Sequence, residues 1–349
     1  MEPVSLAVIG TGMMGRKHAE LIAANPSCSL VGVCDIDPSR STIAKDLDVR
    51  FYSVVEELLD RERPHGVIIS TPNDNHSAVI EACVRLSVSV LVEKPLTDNI
   101  ESARRIVQLA DDTGTPILVG YHRRHSPFIQ KARSIIMNGA LGNLVAVSML
   151  WALLKPDAYY EVAWRRNRPG GGPTLINLVH EIDSLRFICG EIDRVYAQAS
   201  STTRKLDVED SLSISLSFAN GGIGSILASD TAPSPWSYEA TTHENPLYFE
   251  SPENCYLFFG TLGSLSFPSM ELWRYTDENT RGWQHPLVNT LHNVTRADPL
   301  KLQLEHFCRV INRTEEPIVN AREGARSLSV ALAVLESMGR QIPITPETF

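Results

Sequence analysis

Residues 10–15 read Gly10-Thr11-Gly12-Met13-Met14-Gly15, a G-x-G-x-x-G run, and they follow directly on a short apolar run, SLAVI at 5–9. A helical pattern covers 16–24 and ends near Asn25-Pro26. A second apolar run, LVGVC, occupies 30–34. Strand, glycine turn, helix and strand within about 30 residues make a βαβ unit, which commits this part of the chain to a parallel sheet with crossover helices. The alternation continues with strands at 66–70, 88–92 and 116–119 and helices at 75–86 and 99–112. These apolar runs are continuous rather than alternating, as in strands covered on both faces.

Beyond about residue 125 the pattern changes. SLSISLSF at 211–218 alternates strictly, with Leu212, Ile214, Leu216 and Phe218 on one face and Ser211, Ser213, Ser215 and Ser217 on the other. Further strands are predicted at 144–151, 222–228, 255–259 and 262–267, and helices at 127–138, 174–188, 300–312 and 321–338. One apolar and one small polar face imply an antiparallel or mixed sheet with helices on one side. A chain of 349 residues exceeds one ordinary core. The expected organisation is therefore α/β: an N-terminal Rossmann domain with a parallel sheet at 1–122, and a C-terminal α+β domain with an open, mostly antiparallel sheet at 123–349.

Composition narrows the function classes. The formal charge is −9 and there is no basic run, so nucleic acid is not an expected partner. No apolar run approaches the roughly 18 residues of a membrane span. Met1-Glu2-Pro3 leads into a strand by Leu6, leaving no room for a signal peptide. Six cysteines (28, 34, 83, 189, 255 and 308) lack zinc-like or disulfide-framework spacing. A cytoplasmic protein with reduced, buried thiols and no metal is the expectation.

The glycine run has a specific chemistry in this context. Gly10 permits the tight turn, Gly12 lets a pyrophosphate approach backbone N–H groups at the helix start, and Gly15 lets helix and strand pack closely. Thr11, Met13 and Met14 complete that loop. Asp35, twenty residues after Gly15 and just past the second strand, can accept hydrogen bonds from both adenosine-ribose hydroxyls. A carboxylate there repels a 2′-phosphate, so NAD is favoured over NADP; neighbouring Ile36 belongs to the same edge, and Arg40 is the one nearby group able to take a phosphate. Ser70-Thr71-Pro72-Asn73 and Glu93-Lys94-Pro95 each follow a predicted strand, at the carboxyl end where ligands bind in such sheets.

Taken together, GTGMMGRKHAE at 10–20, CDID at 34–37, STPNDNH at 70–76, EKPL at 93–96, GYHRRHSP at 120–127 and GGGPTLINLVHEIDSLR at 170–186 make the chain resemble the Gfo/Idh/MocA oxidoreductase family over essentially its whole length. The resemblance implies hydride exchange between nicotinamide and a carbinol carbon, commonly of a sugar, cyclitol or related polyol. It implies that Lys94 contacts the reacting hydroxyl before an often cis Pro95, and that His180 serves as acid/base. By the same resemblance, His76, Glu93, Lys94 and Arg165 join the cofactor site, and Arg123, Arg124 and Trp164 contact substrate or cofactor; His122 and Tyr121 are weaker candidates. Members commonly associate through the C-terminal sheet, which implies a homodimer or homotetramer.

One position departs from the family pattern. Many members carry an Asp four residues before the histidine; here it is Ile176, beside Asn177. Asparagine can bind a substrate hydroxyl but does not titrate near neutral pH. On a regular helix Asn177 and His180 are i,i+3 neighbours, and Asp183, at i+3 from His180, can orient its imidazole. Trp236 and Tyr238 can form an apolar wall against a sugar ring. Three readings stay open: a polyol dehydrogenase, a non-catalytic NAD-binding sensor, and a redox-neutral enzyme that retains NAD.

Overall fold

The computed structural model describes residues 3–168, 170–277, 279 and 281–349. Met1 and Glu2, on which the reading of the N-terminus partly rested, lie outside the described residues. The chain forms two compact units, one of Met1–His122 with Leu300–Leu328 and Phe349, the other of Arg123–Pro299 with Ser329–Thr348.

The first unit opens β1 (Val4–Ile9), α1 (Met13–Ala23), β2 (Cys28–Cys34), α2 (Thr42–Asp46), β3 (Arg50–Tyr52), α3 (Val55–Glu62), β4 (Gly66–Ile69), α4 (His76–Arg85), β5 (Ser89–Val92), α5 (Ile100–Thr113) and β6 (Ile117–Val119). Its strands run parallel in the order β3-β2-β1-β4-β5-β6. The order reverses between β1 and β4, which makes the carboxyl ends of those two strands the ligand-binding crevice of such a sheet. Every residue of β4 and β5 is buried, as the unbroken apolar runs require. Helix α1 starts at Met13, earlier than the pattern at 16–24 suggested, because Gly12 is itself the residue that caps it.

The second unit holds α6 (Pro127–Met137), β7 (Leu144–Ala152), α7 (Val179–Cys189), β8 (Ile192–Ser200), β9 (Ser211–Phe218), β10 (Ile223–Ser229), α8 (Tyr238–Thr242), β11 (Tyr256–Gly260), β12 (Gly263–Phe267), β13 (Glu271–Arg274) and β14 (Val288–Leu291). Its eight-stranded sheet runs β14-β13-β12-β11-β7-β10-β9-β8; the β7–β10 pair is parallel and the others are antiparallel. In β9 the apolar residues are buried while Ser213 and Ser215 are exposed, so the alternation marks a sheet covered on one face. Strands β8 and β14 escaped the sequence pattern for physical reasons. A register shift between Ile192 and Arg194 breaks the alternation of β8, and all four residues of the edge strand β14 are exposed.

Helix α9 (Pro299–Ile311) and α10 (Ala321–Arg340) follow. Residues Leu300–Leu328 belong to the first unit, so a single boundary at 122 does not describe it. Gly66 shows why. A Cβ there would sit 2.6 Å from Ile311 Cδ1 and 3.0 Å from Phe307 Cζ, so α9 packs tightly where β4 begins. The Val119 amide donates to the Val319 carbonyl at 2.8 Å, and Gly324 packs on Val119.

Candidate functional site

The first unit builds its site from backbone. Gly10 adopts φ +84, and a Cβ on it would lie 2.7 Å from the Ser70 and Thr71 backbone, so only glycine allows the two strand-end loops to meet. A Cβ on Gly15 would fall 1.8 Å from the Gly10 carbonyl oxygen. Gly12 is different: a Cβ would meet nothing within 4 Å, so its hydrogen faces open space at the start of α1. No side chain caps α1 and its first turn holds no acid, which leaves the N–H groups and the positive end of the helix to a ligand. The Ser70 and Thr71 hydroxyls are buried at the adjacent loop with no hydrogen-bond partner among the described residues.

Asp35 is held ready. Its Oδ2 accepts from the Thr11 amide at 2.7 Å and the Thr11 hydroxyl at 2.8 Å, and its Oδ1 from the Asp37 amide at 3.0 Å. Ile36 is 90% exposed beside it. The Arg40 guanidinium lies 3.8 Å from Asp37. An open glycine cradle, orphaned hydroxyls and an anchored carboxylate fit an NAD molecule: the α1 N-terminus for its pyrophosphate, Asp35 for its ribose.

Two residues expected at the cofactor are turned to other work by their contacts. His76 is fully buried, its Nδ1 3.0 Å from the Pro95 carbonyl and its Nε2 3.0 Å from the Thr71 carbonyl. Burial pushes its pKa down, against the pull of those two oxygens. It ties the β4 and β5 loops together. Glu93 is buried too, with Oε1 2.7 Å from His18 Nε2 on α1. Burial pushes the Glu93 carboxyl up, but the His18 hydrogen bond and charge, with Lys94 and His122, outweigh it and bring it to about 2. Half-buried Lys94 follows at once, joined to Pro95 by a cis peptide. Pro72 and Asn73 open the short helical turn after Thr71. Tyr121 is fully buried.

In the second unit, charge is arranged by side chains. Arg123, buried, donates to Glu181 and to Glu239 at 2.6 Å each and lies 3.9 Å over the Tyr238 ring. The Glu181 carboxylate also accepts from the Tyr256 hydroxyl, and Glu239 from Trp151 at 3.2 Å. Arg124 grips Asp183 with two hydrogen bonds, 2.9 and 2.7 Å. The two arginines thus spend these donors inside the unit, and Asp183 turns its carboxylate to Arg124. Tyr238 is buried, stacked 5.9 Å from Phe267, whereas Trp236 is 42% exposed; the expected aromatic wall is not a matched pair. Trp164 is 54% exposed, and Arg165 lies 4.2 Å over the Tyr159 ring.

The segment that carries His180 is not a plain helix. Thr174–Leu178 is a π-turn, in which the Val179 amide reaches back to the Thr174 carbonyl, and the α-helix begins only at Val179. The α-helical i,i+3 relation assumed between Asn177 and His180 therefore does not hold. Glu209 fixes the start of this turn, accepting from the Thr174 amide at 3.0 Å and its hydroxyl at 2.6 Å. His180 is buried at 8% exposure. Ile176 and Asn177 are half-buried, and the Asn177 Oδ1 accepts from Lys155 Nζ at 2.7 Å.

Two family models match this chain. One, described as the oxidoreductase family with an NAD-binding Rossmann fold, covers residues 4–121, and the other, the GFO/IDH/MocA C-terminal domain, covers 129–266. The chain belongs to the Gfo/Idh/MocA oxidoreductase family. Among relatives of this family, an inositol 2-dehydrogenase of Rubrobacter xylanophilus is 31% identical over 237 residues, a match spanning 64% of each chain. An inositol 2-dehydrogenase of Rhizobium meliloti is 24% identical over 98% of this chain and 99% of the relative. In fold, a crystal structure of an oxidoreductase from Agrobacterium radiobacter in complex with NAD+, L-tartaric acid and magnesium superimposes with a TM-score of 0.82 at 17% identity, over 98% of both chains.

The sequence reading of this Gfo/Idh/MocA chain missed Lys155, His18, Glu181, Glu239, Asp230 and Arg204. A signal for the first was present. Lys155 stands between an apolar strand and Pro156, the same arrangement that singled out Lys94. The others carry no local pattern; only the fold brings them to their partners.

Proposed function

We propose that this chain is an NAD-dependent dehydrogenase that oxidises a secondary alcohol of a cyclitol or related polyol. The observation that carries the reading is the open cradle at Gly12 beside an Asp35 carboxylate already fixed by Thr11 and Asp37. The substrate class is supported by relatives named inositol 2-dehydrogenase.

NAD, when bound, supplies the hydride acceptor. The chain's own residues handle the proton. The alcohol loses a hydride from carbon and a proton from oxygen to become a ketone, and the His180 imidazole accepts that proton. The Lys94 ammonium stabilises the alkoxide as it develops. Asn177 contributes hydrogen bonding to a substrate hydroxyl without titrating. NADH formation from NAD with myo-inositol, scyllo-inositol and a panel of sugars tests the proposal. Tight NAD binding with no net NADH supports instead a redox-neutral enzyme or a sensor, the readings that Ile176 motivates.

The same reading includes a cytoplasmic homodimer or homotetramer formed through the second sheet. Among the described residues no helix is long and apolar enough to cross a membrane. The open sheet face carries Ile223, Leu227, Leu257 and Phe259, 61%, 56%, 40% and 38% exposed, between small serines. Ser213→Arg with Ser215→Arg should dissociate the assembly in sedimentation; a wild type that is monomeric at micromolar concentration contradicts it.

A further inference from the structure

Lys155 lies just past β7, 7% exposed, between Trp151, Tyr159 and Tyr160, with Nζ 4.5 Å from the Tyr159 ring centre. A buried ammonium needs partners. The nearest carboxylate, Asp230, is fully buried, but Arg204 holds its Oδ1 at 3.2 Å and the Tyr160 hydroxyl donates to its Oδ2. Lys155 Nζ stands 3.6 Å from that same Oδ2 and only 2.7 Å from Asn177 Oδ1. Its shorter bond therefore goes to the amide. An ammonium has donors only, so the amide atom facing it must be the oxygen. The part of Asn177 left to present is its NH2, a donor.

We propose that Lys155 is a positioning residue, which fixes the Asn177 side chain so that its NH2 meets an accepting oxygen of the substrate. The inference rests on the polyol reading above and sharpens it: at this point the substrate carries a hydroxyl or carbonyl oxygen acting as acceptor. It also explains how a site with Ile176 keeps a directed polar group, since an unheld amide can flip and present either end. The groups facing Lys155 are Asp230, Glu239 and Arg204 by charge, Tyr159 and Tyr160 by their rings, and Asn177 by its hydrogen bond. Burial, opposed by Asp230 and Glu239, brings Lys155 down to about 8.

The test is steady-state kinetics on myo-inositol or scyllo-inositol with the NAD-saturated enzyme, for Lys155→Met, Lys155→Arg, Asn177→Ala and the double variant Lys155→Met/Asn177→Ala. Each neutral single variant should raise KM for the polyol about tenfold, with KM for NAD and kcat little changed, and the double variant should be no worse than either. Lys155→Arg should recover part of the loss. In wild type kcat/KM should decline as pH rises through about 8. The decline should vanish in Lys155→Met and in Asn177→Ala alike, because the ammonium acts on the substrate only through that amide. That last measurement stands even if a Lys155 variant fails to fold. Multiplicative effects in the double variant, an unchanged KM in Lys155→Met, or an unmoved pH profile in Asn177→Ala each overturn the inference while leaving polyol oxidation intact. If the NAD-loaded wild type neither oxidises nor binds any polyol of the panel, the functional reading falls and this inference with it.

Discussion

The two units handle charge in opposite ways. In the first, the groups that would receive a ligand are mostly backbone: the α1 N-terminus, the Gly12 cradle and the strand-end loops, with Asp35 fixed by Thr11 of the glycine loop and by Asp37. In the second, charge is set by side chains drawn from distant positions, Lys155 from the end of β7, Asn177 from a π-turn, Asp230 from beyond β10 and Arg204 from the β8–β9 connection. Backbone recognition needs glycines at fixed spacing and so leaves a contiguous trace in sequence. Side-chain networks need only that the fold bring partners together, and leave almost none.

Removing the groups assigned to proton handling tests the contrast most severely. Lys94→Ala and His180→Ala should each lower kcat by on the order of 10²-fold or more, with NAD affinity little changed in the His180 variant. Equal loss of NAD binding in the His180 variant would show that the two units do not divide the labour in this way.

A smaller effect is expected at the ribose carboxylate. Asp35→Ser should reduce the kcat/KM preference for NAD over NADP by roughly 10- to 100-fold, the scale of one or two charged hydrogen bonds. A wild type that prefers NADP contradicts the assignment.

The two buried charges then affect stability with opposite sign, although both make it rise with pH, Glu93 in acid and Lys155 in base. Glu93 is depressed from 4.5 to about 2, so its contribution to stability is complete above pH 4.5 and is lost as pH falls toward 2. Denaturant titrations should show His18→Gln losing about 2–3 kcal/mol at pH 6 and little at pH 2. Lys155 is lowered from 10.5 to about 8, so the folded state binds this proton less tightly than the unfolded chain. Its contribution is unfavourable below pH 8, and stability gains as pH rises from 8 toward 10.5. Lys155→Met, with Asp230 still held by Arg204 and Tyr160, should not lower Tm at pH 7. A fall of more than about 5 °C would mark Lys155 as a structural cation rather than a positioning one.

The same contrast decides how much was legible in advance. Unbroken apolar runs announced the parallel sheet, and the serine alternation of 211–218 announced the one-sided sheet, because side-chain period follows strand burial directly. The tight turn at Gly10 and the close packing at Gly15 were readable from the spacing alone. What could not be read was which charges pair. Arg123 and Arg124 stand in a ligand-like motif yet donate to Glu181, Glu239 and Asp183, 58 to 116 residues away. The π-turn at Thr174–Leu178 was equally silent, since a widened turn needs no particular residue, and it altered the geometry assumed between Asn177 and His180.

Single-turnover hydride transfer tests the central claim most directly. Enzyme loaded with NAD is mixed with the cyclitol that the panel identifies, and NADH is followed in wild type and His180→Ala across pH. The account predicts a chemical step slowed by on the order of 10²-fold in the variant, with a pH profile that differs from that of the wild type. An unchanged rate and pH profile in His180→Ala would contradict it and place the base elsewhere in the chain.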